Sequence, residues 1–143
     1  MKPGHWLFKV PDELPDSLVS PVNCALSEVI YGLNQIGITL GDTVVIQGAG
    51  GLGLYATAVA KEMGAGQVIV LDRLGARLEL AREFGADHLI NVDELSMAER
   101  VAYVLDHTRG IGADVVAEFV GSPRVLSEGV EMLRWGGRYL WVG

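Results

Sequence analysis

The stretch Thr43-Val44-Val45-Ile46-Gln47-Gly48-Ala49-Gly50-Gly51-Leu52-Gly53 decides the fold. Thr43–Gln47 is a continuous, mostly β-branched run, the pattern of a strand covered on both faces. Leu52 to Met63 is apolar nearly all round, as in a helix buried against a sheet. Gly64 then stands where a left-handed C-cap residue is wanted. Between strand and helix lies a G-x-G-x-x-G. That pattern is weak alone, and a strand before it with a helix after it is the context that gives it meaning. There Gly48 permits the tight turn, Gly50 lets a pyrophosphate approach the backbone with no Cβ in the way, and Gly53 lets the helix lie close to the strand. The amides of Gly51 and Leu52, in the first helical turn, point at phosphate oxygens with the help of the helix dipole.

Outward from this unit the chain alternates strands and helices, with glycine between them. Gln67–Leu71 reads as a second strand. Leu74, Leu78 and Ala81 repeat at helical spacing before Gly85, and Asp87–Asn91 reads as a third strand. Ser96-Met97-Ala98-Glu99 has capping-box form and opens a helix whose inner stripe is Val101, Val104, Leu105 and Thr108. Asp114–Phe119 is a fourth strand. Ser122-Pro123 starts a helix expected to face inward through Leu126, Val130 and Leu133. Gly136-Gly137 turns the chain into a fifth strand, Arg138–Val142. This order implies an α/β fold in three layers, a Rossmann-like doubly wound parallel sheet with five of the usual six strands, truncated before the sixth. Its bare last edge leaves homo-oligomer formation open. Residues 1–42 form a lead-in. Pro11, Pro15 and Pro21 mark an extended approach, and Leu26, Val29, Ile30, Leu33 and Ile36 form a helical stripe ending at Gly37. Residues 43–143 are the nucleotide-binding body.

Composition narrows the partners. Eleven basic against eighteen acidic residues give a net charge of −7 with no basic run, which speaks against nucleic acid. Thr43 to Ala60 carries no charge over 18 residues, close to a membrane span. Its Gln47, its four glycines and its change from β-branched to alanine-rich character fit strand, turn and helix better. One cysteine and an N-terminus without an apolar core segment fit a reducing, cytoplasmic setting.

Asp72 follows the second strand, 19 positions after Gly53, near the spacing of about 20 at which a carboxylate meets the adenosine ribose. A carboxylate there accepts from both ribose hydroxyls and repels a 2′-phosphate, so NAD is expected over NADP. Arg73 beside it is expected to stack on adenine. Gly48–Gly53, Asp72, Glu118–Gly121 (with Val120 facing the cofactor) and Val142-Gly143 all fall at C-terminal strand ends, the edge where open parallel sheets bind ligands. No residue of the chain is read as catalytic.

Taken together, Cys24-Ala25-Leu26-Ser27, Gly41-Asp42, the glycine loop, Asp72 with Arg77-Leu78-Glu79-Leu80-Ala81, Gly85-Ala86-Asp87, Gly112-Ala113-Asp114-Val115-Val116 and Gly136-Gly137-Arg138 resemble the medium-chain, zinc-type alcohol dehydrogenases. The resemblance runs from about Lys9 to the last residue. It implies that Arg77 reaches the adenosine ribose, that Val142 offers a backbone group to the nicotinamide carboxamide, and that Cys24 ligates the catalytic zinc together with residues from a domain not in this chain. It further implies hydride transfer between NAD(H) and a small alcohol or carbonyl, with this chain inactive alone. His5, His88 and His107 are too scattered to complete a zinc site. Glu28 stands where the family usually has threonine, a departure near the nicotinamide. A zinc-free quinone or enone reductase using NAD(P)H and a non-catalytic nucleotide sensor are the alternatives. A short-chain dehydrogenase needs a lysine four residues after a tyrosine, and Tyr31, Tyr55, Tyr103 and Tyr139 all lack one.

Overall fold

The computed structural model describes Gly4 and residues 8–143; His5 lies outside the described residues. In chain order the elements are α1 (Asp16–Val19), a π-turn at Val22–Leu26, α2 (Ser27–Ile36), β1 (Thr43–Gln47), α3 (Gly51–Glu62), β2 (Gln67–Asp72) and α4 (Gly75–Glu83). They continue with β3 (His88–Asn91), α5 (Met97–His107), β4 (Ala113–Glu118), a 3-10 turn at Pro123–Val125, α6 (Leu126–Met132) and β5 (Leu133–Trp141). The strands form one sheet in the order β3-β2-β1-β4-β5, and every neighbouring pair is parallel.

Alternation along each strand divides the core in two. Val44, Ile46, Val68, Val70, Val115 and Ala117 meet α2, α3 and α4 through Val29, Leu33, Ala56, Ala60, Leu78 and Ala81. On the other face Val45, Ile69, Leu71, Ile90 and Val116 meet α5 and α6 through Val104 and Met132. Helices on both faces explain why the central strands read as unbroken apolar runs. No helix among the described residues is long and apolar enough to cross a membrane.

Two glycines fix how α3 sits on β1. Gly48 has φ of +97°, a conformation that L side chains avoid. A Cβ on Gly53 would lie 1.8 Å from the Gly48 carbonyl oxygen. The helix therefore starts in backbone contact with the turn before it.

The structure differs from the sequence reading at the termini of the fold. The stretch read as extended contains α1, a short winding between Pro15 and Pro21, and the π-turn that follows Pro21 and leads into α2. In α2 the buried residues are Val29, Gly32 and Leu33, while Ile30 is exposed. Gly32 lets Leu140 of β5 come within 3.1 Å of where its Cβ would be. In α6 the buried face is Glu128, Gly129 and Met132; Val130 is exposed and Leu133 belongs to β5. The helix is rotated because Gly129 alone admits Gln47 and Tyr139, each of which would crowd a Cβ. β5 begins earlier than Arg138, with Leu133 opposite Ala113. Arg138 is next in register, opposite Val115, so 134–137 bulge outward.

Candidate functional site

The C-terminal ends of β1, β2 and β4 open on a cavity of about 320 Å³. Gly48, Gly50, Asp72, Arg73, Arg77 and Val120 all line it. Gly51 and Leu52 open α3 beside it, and Gly53 is buried in the same turn. At α3 the N-cap Gly50 has no side-chain hydrogen bond, so the first-turn amides lack the partner a serine or aspartate would give them. A Cβ on Gly50 or Gly51 would meet nothing within 4 Å, in contrast to Gly53. The turn is thus packed tightly below and open above, which is the shape of a phosphate cradle.

Asp72 closes one side of the cavity. Its side chain is 7 % exposed. Its Oδ2 accepts from the Ala49 amide at 2.7 Å and its Oδ1 from the Leu74 amide at 2.9 Å. The carboxylate therefore ties the glycine turn to the end of β2, and Arg77 stands 3.9 Å away. Arg73 reaches away to Asp93, 3.4 Å distant, an exposed pair. Exposed pairs of this kind are worth little, roughly 0–1 kcal/mol, so the Arg73 side chain is free to swing.

Around the far wall stand Gln47, Tyr139, Arg100 and Glu128, which the sequence reading did not single out as site residues, together with the Glu118–Gly121 turn that it did. Gln47, the last residue of β1, donates from Nε2 to the Val125 carbonyl at 2.9 Å and accepts from the Tyr139 hydroxyl at 2.9 Å. Burial first, then the nearby Glu118 and Glu128 carboxylates, push the Tyr139 hydroxyl up to about 12. Arg100 of α5 donates from Nε to Glu128 of α6 and from Nη1 to the carbonyls of Val92 and Leu95. Glu118, 1 % exposed, accepts the amides of Val120 and Gly121 on Oε1 and so sets the turn that carries Val120. Helical periodicity gives no hint of the Arg100–Glu128 pair, because each charge interrupts a face otherwise read as apolar or solvated.

Two of the expected site residues stand apart from this cavity. Val142 follows β5 and donates its amide to the Glu118 carbonyl at 3.2 Å. Cys24 is exposed in the π-turn ahead of α2. Glu28, in the first turn of α2, is also exposed. His88 and His107 lie together across β3 and α5, with ring centroids 4.3 Å apart, and Tyr103 stacks on His107. Among the described residues no group of three or more His, Cys, Asp or Glu side chains is placed to hold a metal ion.

A parallel sheet in this order, with a glycine turn at the C-terminal edge of its central strand, defines a Rossmann-like α/β protein. The chain belongs to the zinc-binding dehydrogenase family, whose profile matches residues 51–143. It is 35 % identical over 141 residues to 5-exo-hydroxycamphor dehydrogenase of Pseudomonas putida, covering 98 % of this chain and 39 % of that protein. It is 37 % identical over 144 residues to L-threonine 3-dehydrogenase of Pyrococcus horikoshii, covering 99 % and 39 %. Its fold matches an alcohol dehydrogenase structure from Thermotoga maritima with a TM-score of 0.91 at 39 % identity, covering 95 % and 38 %. The chain thus spans about two fifths of the length of the relatives it matches.

Proposed function

We propose that this chain is the NAD(H)-holding portion of a zinc-type alcohol or polyol dehydrogenase, which transfers hydride between nicotinamide and a small alcohol or carbonyl. The observation that carries the reading is one cavity shared by an uncapped glycine turn, open above Gly50 and Gly51, and the carboxylate of Asp72. The names of the relatives, a hydroxycamphor and a threonine dehydrogenase, support the alcohol class of substrate.

In this reading 43–143 form the cofactor-holding body and 1–42 its lead-in. The amides of Gly51 and Leu52 bind the pyrophosphate, with Gly48, Gly50 and Gly53 keeping the turn low. Asp72 has lone pairs left after accepting two amides, and these accept from the ribose hydroxyls. A 2′-phosphate there would face a carboxylate across a few ångströms, so NAD(H) is preferred. Arg77 steadies the ribose side, Arg73 and Val120 flank the base, and the Val142 backbone meets the nicotinamide carboxamide. NAD(H), when bound, accepts or supplies the hydride. Cys24 supplies one thiolate toward a zinc ion whose other ligands come from elsewhere in the whole protein, as zinc sites need three or four protein ligands. The chain alone therefore binds cofactor without turning over alcohols.

Titration of the purified chain with NADH and with NADPH, followed by tryptophan fluorescence from Trp141, tests this. NADH is expected to bind more tightly, with the preference lost in Asp72→Asn. Binding of NADPH in preference to NADH would instead favour a zinc-free reductase.

A further inference from the structure

We infer that the Arg100–Glu128 pair reads the hydrogen-bonding edge of the base, selecting adenine over hypoxanthine in the bound dinucleotide. The inference rests on the proposed function, since it takes the base to hang from a ribose held at Asp72. The same cavity is lined by Val92, Arg100, Val120, Val125 and Glu128.

Arg100 and Glu128 are 14 % and 5 % exposed, and both line the cavity. The ion pair uses one atom of each, Arg100 Nε and Glu128 Oε1, and Arg100 Nη1 is committed to two carbonyls. Among the described residues Arg100 Nη2 and Glu128 Oε2 make no hydrogen bond. Glu118 Oε2 is the one fully buried side-chain polar atom without a partner among the described residues. Arg100 Nη2 and Glu128 Oε2 therefore keep some accessible surface, on side chains that both line the cavity. The wall presents a donor beside an acceptor, both held in place by Arg100's bonds to α6 and to the segment after β3.

Adenine offers the complement: an amino donor at position 6 next to a ring-nitrogen acceptor. Asparagine and glutamine read that edge with one amide carrying an acceptor and a donor. Here two side chains on α5 and α6 provide the same two groups, with charge on both. Hypoxanthine carries an oxygen at position 6, which sets an acceptor against the Glu128 carboxylate. Turning the base over to restore the match would carry its ribose away from Asp72. The remaining neighbours of the wall, Gln47 and Tyr139, are committed to each other and to Val125, so the base finds its polar partners in Arg100 and Glu128.

The test is a pair of dissociation constants, for NADH and for reduced nicotinamide hypoxanthine dinucleotide, on the full chain. NADH should bind about 10-fold to 100-fold more tightly, the range expected when hydrogen bonds to charged groups are lost or opposed. In Arg100→Met with Glu128→Met the ratio should fall to near one. Such apolar replacement of a buried pair is often tolerated. Should that variant fail to fold, Arg100→Gln with Glu128→Gln reads the same ratio, because its amides can rotate to suit either base. A purely structural pair would move both constants together and leave the ratio as it was. NADH binding with a ratio near one in the unsubstituted chain, or a ratio unchanged in a folded double variant, overturns the base reading alone. Absence of NADH binding overturns the proposed function and this inference with it.

Discussion

Gly51→Ala and Gly53→Ala, two residues apart in the first turn of α3, should move stability in opposite directions. Both replace glycine by the best helix former, a local gain of about 0.5–1 kcal/mol. At Gly51 the new methyl meets nothing within 4 Å, so that gain stands. At Gly53 it would lie 1.8 Å from the Gly48 carbonyl oxygen and 2.8 Å from its carbon. Real Cβ contacts essentially never fall below 3.0 Å, so α3 must withdraw from β1 by more than an ångström. The atom in the way is backbone, which cannot rotate aside, and the withdrawal loosens Ala56 and Ala60 from the sheet. Overpacking of this kind costs about 1–3 kcal/mol or more, leaving Gly53→Ala destabilised by roughly 1–2 kcal/mol after the propensity gain. For a chain of this length each kcal/mol is worth about 2–4 °C in Tm. Thermal and urea denaturation read the stability, and an NADH titration reads the cradle. Gly51→Ala should be the more stable protein and the weaker binder, because its methyl occupies the space above the turn. A Gly53→Ala protein as stable as its parent, or a Gly51→Ala protein with unchanged NADH affinity, would refute the reasoning.

Other substitutions test separate parts of the structure. Arg109 is the one non-glycine residue with positive φ among the described residues, at +57°, where α5 ends; Arg109→Gly should raise stability by about 1 kcal/mol in denaturation. Ser96→Ala removes the capping box of α5, in which the Ser96 hydroxyl accepts from the Glu99 amide and Glu99 reaches back to the Ser96 amide; a loss of about 1 kcal/mol is expected. The bonds from Ser96 hold the Glu99 carboxyl below its ordinary value, so that contribution is present above pH 4.5 and fades as pH falls through the depressed folded value. Burial first, then His107, hold His88 below its ordinary 6.5, against the opposing pull of Asp87. The folded state thus favours neutral His88, and stability should fall as pH drops below about 6.5; His88→Gln should flatten that part of a pH–stability curve.

Much of this structure is local enough to be legible in the chain. The central strands β1, β2 and β4 read as largely apolar runs because both faces are covered, and the turns between elements are marked by glycines, several with positive φ. The capping box at Ser96 is likewise a matter of four neighbouring residues. The illegible parts depend on residues far apart in sequence. The face of α6 is set by Gln47 and Tyr139 pressing on Gly129 and by Arg100 drawing Glu128 inward, so periodicity within 126–133 points to the wrong side. The early start of β5 depends on Leu133 pairing with Ala113 while 134–137 bulge out, a register no local pattern records. The cavity divides the same way. Its glycine turn and Asp72 follow from spacing along one βαβ unit, whereas Arg100 and Glu128, on two helices across the other face, meet only in the folded protein.

Backbone amide shifts recorded as NADH is added measure most directly whether the C-terminal edge of the sheet holds the cofactor. The shifts should cluster at 48–53, 72–77 and 118–121, with Arg100 and Glu128 among them. Shifts confined to the opposite edge, around Gly41, Gly112 and Arg134, or no shifts at millimolar NADH, would contradict that placement.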